Sequence, residues 1–87
     1  MNCLIVDDNK IARVTIRQLA ARVIDLEIAG ECENAVEAYH FLKENKIDLI
    51  LLDIELPEMS GIELTKNLRK PSPLIIFITS KKEYAVE

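Results

Sequence analysis

Apolar residues gather along this chain in short runs, separated by longer stretches in which they recur at helical spacing. Leu4, Ile5 and Val6 form the first run, which stops at Asp7-Asp8. Nothing polar alternates within it, so it predicts a strand buried on both faces. Over residues 9–23, Ile11, Val14, Leu19 and Val23 return at helical intervals with Arg13, Arg17 and Arg22 between them, a pattern that predicts an amphipathic helix. Leu26, Ile28 and Cys32 then alternate with Glu27 and Glu31, which suits a strand near a sheet edge. Asn34 with Glu37 three residues on makes a capping-box-like start, and Ala35, Ala38, Phe41 and Leu42 supply the buried face of a helix ending near Asn45. Residues 47–52 are a third strand, apolar after Asp48 and running into Asp53. A loop with Pro57 follows. Ser60 and Glu63 open a further helix carrying Ile62, Leu64 and Leu68, and Pro71 and Pro73 close it. Residues 74–78 form a fourth strand, ending at Thr79-Ser80, and residues 81–87 read as the first turns of one more helix.

Strand and helix alternate, with short links and no hairpin signals. That order calls for right-handed crossovers and an α/β fold, a doubly wound parallel sheet with helices on both faces. The fourth run, Leu74, Ile75, Ile76, Phe77 and Ile78, has the unbroken apolar pattern of an interior strand. Left at the edge of a four-strand sheet it is an aggregation hazard, with no blunting charge or proline inside it. The expectation is one domain over residues 1–87, C-terminally incomplete, with a further strand and helix following or a second copy pairing in their place.

Composition narrows the function classes. The chain has 87 residues, enough for a single domain, and 49% of them are hydrophobic, which is globular and not disordered. No apolar run approaches the roughly 18 residues of a membrane span, and Met1-Asn2-Cys3-Leu4 lacks a basic secretory opening, so a cytoplasmic location is expected. The net charge of −4 makes the domain a poor binder of nucleic-acid phosphates. Cys3 and Cys32 make neither a disulfide framework nor a zinc site and read as small buried hydrophobes. Between parallel neighbouring strands they would stand several residues out of step, beyond the Cα separation of about 7 Å that a bridge tolerates.

The chemistry gathers at strand ends. In a parallel α/β sheet, ligands bind beyond the carboxyl ends of the strands. There the first strand presents Asp7 and Asp8, the third Asp53, and the fourth Thr79 and Ser80. Capping of the next helix accounts for a lone aspartate at such a place, but not for three converging on one edge. Clustered carboxylates raise each other's pKa and need a compensating cation. Mg²⁺ suits them, because it uses one or two carboxylates together with waters and phosphate oxygens.

Val6-Asp7-Asp8-Asn9, then Leu52-Asp53-Ile54-Glu55-Leu56-Pro57 with Gly61, then Ile78-Thr79-Ser80 resemble the successive signatures of the response-regulator receiver family. The resemblance runs the length of the chain in the family's order. It implies the flavodoxin-like, CheY-like fold with strand order 2-1-3-4-5 in the complete domain. It further implies that Asp53 accepts a phosphoryl group from a sensor histidine kinase, and that Asp8, Asp53 and the backbone carbonyl of Glu55 hold Mg²⁺, with Asp7 acting through water. Thr79 would bond a phosphoryl oxygen and act in the switch, with the small Ser80 leaving room beside it. The family's aromatic switch residue and phosphate-pairing lysine belong to a fifth strand beyond Glu87. Such a domain catalyses only its own phosphorylation and dephosphorylation. Residues 75–85, with Glu83-Tyr84-Ala85-Val86, look similar to receivers joined to LytR/AlgR-type DNA-binding domains, which implies a transcriptional output.

Other roles are simpler. Glu55 and Lys81 flank the site, either tuning phosphate lifetime or serving as solvated charges. Pro57 and Gly61 need only turn chemistry. His40 lies too far along its helix for the acidic edge. Two rival functions stay open. A haloacid-dehalogenase-type phosphatase also uses a strand-end aspartate and Mg²⁺, and Asp53-x-Glu55 imitates its signature, but its nucleophile follows the first strand and its second acid is Asp. A receiver-like dimerisation module that never takes phosphate usually loses one of the acids or the hydroxyl, all of which stand here. A nucleotide-binding domain is disfavoured, since the first strand-to-helix turn has no glycine to admit a pyrophosphate.

Overall fold

The computed structural model describes residues 1–53 and 73–78. Within them the elements run β1 (Asn2–Val6), α1 (Lys10–Ala20), β2 (Glu27–Cys32), α2 (Ala35–Glu44), β3 (Leu49–Asp53) and β4 (Leu74–Ile78). The strands form one parallel sheet in the order β2-β1-β3-β4. This is the expected α/β architecture, with β2 at one edge. The helix expected over residues 60–70, the turns from residue 81, and Glu55, Pro57, Gly61, Thr79, Ser80 and Lys81 lie outside the described residues. No helix among the described residues is long and apolar enough to cross a membrane.

β1 is the centre of the molecule. Cys3, Leu4, Ile5 and Val6 are all fully buried, as the unbroken apolar run requires of a strand flanked by two others and covered on both sides. Alternate residues serve opposite faces. Leu4 and Val6 pack with Cys32, Ile50, Leu52 and the α2 residues Ala35, Ala38, Phe41 and Leu42. Cys3 and Ile5 pack on the other side with Leu49, Leu51, Ile28 and Ile16 of α1. The two helices therefore cover opposite faces, the doubly wound arrangement. Cys3 and Cys32 belong to different faces, and both are free thiols.

β2 departs from the simple alternation read from its sequence. Cys3 stands opposite Ile28, but Leu4 stands opposite Gly30, so Ala29 is an extra residue and the strand is bulged there. Ile28 and Cys32, which strict alternation would put on one face, are thereby sent to opposite ones. The bulge turns Gly30 toward α2, where a Cβ would come within 2.7 Å of the Phe41 ring. The ring fills the place of the missing side chain.

α2 follows its sequence signals. The Asn34 side chain accepts from the Glu37 N–H at 2.8 Å, and the helix ends against Asn45. The Glu37 carboxylate reaches back, although to the N–H of Glu33 (3.1 Å) and not that of Asn34. α1 differs from its expectation. It stops at Ala20, and Ile11, Leu19 and Val23, assigned to its apolar face, are exposed. Ile16 and Ala20 face the sheet, with Arg13 half-buried beside them. The cause lies on β2, where Arg13 and Arg17 both reach Glu31 and so fix how the helix is rotated. The turn after α1 passes through Asp25 at φ 69°, in the left-handed region that aspartate tolerates, and the N-terminal ammonium donates to its carbonyl.

β4 pairs with β3 from Leu49↔Leu74 to Asp53↔Ile78 and is the outermost described strand. Leu74, Ile76 and Phe77 are exposed there, the edge situation that the apolar pattern warned of.

Candidate functional site

The parallel registers bring two strand ends to the same level. Val6 of β1 lies opposite Leu52 of β3, so the next residues, Asp7 just past β1 and Asp53 at the last position of β3, stand side by side. Carboxylate oxygens of Asp7, Asp8 and Asp53 all lie within 4.8 Å of one another. Asp7 and Asp53 are buried, at 1% and 7% exposure, whereas Asp8 is exposed. The three acids expected to gather are thus together, one of them open to solvent. Glu55 and Thr79 lie outside the described residues.

Asp7 is held from every side. Its N–H donates to the Cys32 carbonyl at 3.0 Å, extending the β1–β2 ladder by one step. Its side chain accepts from the Asn9 N–H at 2.9 Å, closing an Asx turn that brings Asn9 into position to cap α1. The Asn9 side chain in turn accepts from the Ala12 N–H at 3.1 Å. The Asp7 carbonyl accepts from the Arg13 guanidinium at 2.7 Å. Burial is the main force pushing the Asp7 carboxyl above its ordinary pKa. The Asn9 hydrogen bond lowers it, the charges of Asp53 and Asp8 raise it further, and Arg13 lowers it slightly.

The donor set fits a hard divalent cation. It offers only oxygen, it carries more negative charge than the nearby Arg13 offsets, and one member faces water while two are preorganised by burial. Among the described residues this is the one group of His, Cys, Asp and Glu close enough to hold a metal ion.

Arg13 is the residue that the sequence reading missed, since it was counted only as a polar member of an amphipathic helix. A signal was available. Helical side chains lean toward the N-terminus, so a long one starting a turn into α1 and facing the sheet reaches back to the strand end that precedes the helix.

A family model for the response regulator receiver domain matches residues 3–87. The chain is 40% identical over 88 residues to an uncharacterized response regulatory protein of Shewanella oneidensis, covering 100% of this chain and 37% of that protein. It is 42% identical over 85 residues to the transcriptional regulatory protein BtsR of Salmonella typhi, covering 97% of this chain and 36% of that protein. In structure it is similar to the response regulatory domain of mrkE from Klebsiella pneumoniae. That match has a TM-score of 0.85 and 34% identity, and covers 97% of this chain and 70% of that one. The chain therefore belongs to the response-regulator receiver family, whose members are signalling domains and not turnover enzymes. It spans somewhat over a third of the length of the curated relatives it matches.

Proposed function

We propose that this receiver is a phosphoacceptor switch in which Asp53 takes a phosphoryl group from a sensor histidine kinase. The observation that carries this reading is the buried Asp53 carboxylate, set at the carboxyl end of β3 with Asp7 and Asp8 within 4.8 Å. A carboxylate oxygen of Asp53 attacks phosphorus, forming an O–P bond as the P–N bond of the donor phosphohistidine breaks. The imidazole leaves with the electron pair and takes up a proton from water. Asp8, Asp53 and the Glu55 backbone carbonyl would hold Mg²⁺, with Asp7 acting through water. Bound there, Mg²⁺ supplies positive charge against both the carboxylates and the incoming phosphoryl oxygens. The Asn9 N–H fixes the Asp7 side chain through one carboxylate oxygen at 2.9 Å. Thr79 would donate its hydroxyl to a phosphoryl oxygen and couple the site to the rest of the protein.

Residues 1–87 would then be the receiver part of a longer cytoplasmic regulator, with a DNA-binding output elsewhere in the protein. The name of BtsR as a transcriptional regulatory protein supports an output in transcription. The exposed Leu74, Ile76 and Phe77 on β4 favour a second reading, pairing with another copy of the chain without phosphate.

Intact-mass analysis after incubation with Mg²⁺ and acetyl phosphate separates the two. The switch reading expects one added phosphoryl group, lost when metal is chelated and absent in Asp53→Asn. A folded, Mg²⁺-binding protein that gains no mass would leave the pairing reading standing.

A further inference from the structure

The acid cluster depends on a bend in the chain at the end of β1, and that bend is held from α1. The β1–β3 ladder ends at Val6 and Leu52, so the Asp7 carbonyl lies past the last pair on that side. It accepts from Arg13 Nη1 at 2.7 Å. The same guanidinium is anchored from β2, with its Nε 3.7 Å from Glu31 Oε1. Glu31 is itself held by Arg17 at 3.0 Å through its other oxygen. Arg13 is largely shielded, its side chain 15% exposed, so these contacts are less screened than a surface ion pair. One planar fork thus joins the edge strand, the helix and the backbone that carries two of the three acids.

We propose that Arg13 is a positioning residue for the metal-binding acid cluster. Tethered by Glu31, it fixes the Asp7 carbonyl and so the direction in which the Asp7 and Asp8 side chains leave β1. The inference rests on the reading that this cluster binds Mg²⁺. Its sign separates it from a purely electrostatic role. A cation beside a cation site repels the metal, so on charge alone removing Arg13 should tighten Mg²⁺ binding. If position is what matters, removing it weakens binding. Lysine does not restore it, because a point charge cannot span the Asp7 carbonyl and Glu31 together.

Calorimetric titration of the full chain with Mg²⁺ tests this in wild type, Arg13→Ala, Arg13→Lys and Glu31→Gln. Amide NMR shifts of Asp8 and Asn9 in metal-free protein are the second readout. Both Arg13 variants are expected to bind Mg²⁺ about tenfold more weakly, in line with the loss of partners that orient metal ligands, with Glu31→Gln in between. The Asp8 and Asn9 amides should shift before any metal is added. Should Arg13→Ala fail to fold, the lysine and glutamine variants decide. Unchanged or tighter binding in the folded variants, or full affinity with lysine, overturns the proposal while leaving the metal site intact. A wild type that binds no Mg²⁺ overturns the switch reading and this inference with it.

Discussion

Asp7→Asn replaces a buried charge by a neutral amide of the same shape, and it should stabilise the metal-free protein while weakening its response to Mg²⁺. The amide oxygen can still accept from the Asn9 N–H, so the turn into α1 is kept. What is lost is repulsion. At the 4.8 Å limit of the cluster, two unit charges in an effective dielectric near 20 repel by about 3.5 kcal/mol. The chain relieves part of this by taking up protons and by letting water reach Asp8, so the net gain should be about 1–3 kcal/mol at neutral pH. For a domain this small, each kcal/mol moves Tm by about 4–8 °C. The pH dependence has a definite sign. Burial and like charge raise the folded-state pKa of Asp7, so the folded wild type binds more protons than the unfolded chain between the unfolded and folded values. Wild-type stability therefore falls as pH rises through that window. The advantage of Asp7→Asn is full above the folded pKa and vanishes below the unfolded value of about 3.9. Thermal melts followed by circular dichroism in EDTA and in excess Mg²⁺ measure both effects. Metal at a hundred times its Kd adds about 2.7 kcal/mol to the wild type, and the variant should gain much less. A variant no more stable than wild type in EDTA at neutral pH would refute the claim that the cluster stores repulsion.

Gly30→Ala should destabilise the protein by about 1–2 kcal/mol. Overpacking against a ring 2.7 Å away outweighs the entropic benefit of alanine, and urea unfolding should show the loss relieved when Phe41→Leu is added. Burial pushes the Cys32 thiol up to about 11, so it should resist iodoacetamide at pH 8 until urea opens the fold. Labelling of Cys32 in the folded protein as fast as of a free thiol would show that α2 does not seal that face.

The parts of this molecule that a linear pattern can encode were legible in it. Leu4-Ile5-Val6 running into Asp7-Asp8, and 49–52 into Asp53, specify both a buried strand and what stands at its end. Parallel packing then brings those ends together. The caps of α2 were legible too, because Asn34 and Glu37 act within one turn. What escaped depends on partners far along the chain. The bulge at Ala29 exists because Ile28 and Cys32 are wanted on opposite faces by different helices, a demand that alternation cannot express. The rotation of α1 follows from Glu31 on another strand, and so does the role of Arg13. With apolar residues on several sides of α1, periodicity alone could not choose between Ile16 and Leu19.

The all-parallel register also governs how this protein can be made. Asn2 meets Glu27, Cys3 meets Leu49, and Leu49 meets Leu74, so no strand finds a partner among its near neighbours in the chain. On a ribosome, the apolar β1 emerges before the other described strands and must wait for β3 before both its edges are occupied. Long-range closure of this kind is slow, and it leaves the strand that ends most deeply buried exposed for longest. The nascent chain is thus most vulnerable to misassociation while its central strand still waits for β3, and a chaperone that shields Leu4, Ile5 and Val6 during that interval would raise the folded yield more than one acting after β3 has docked.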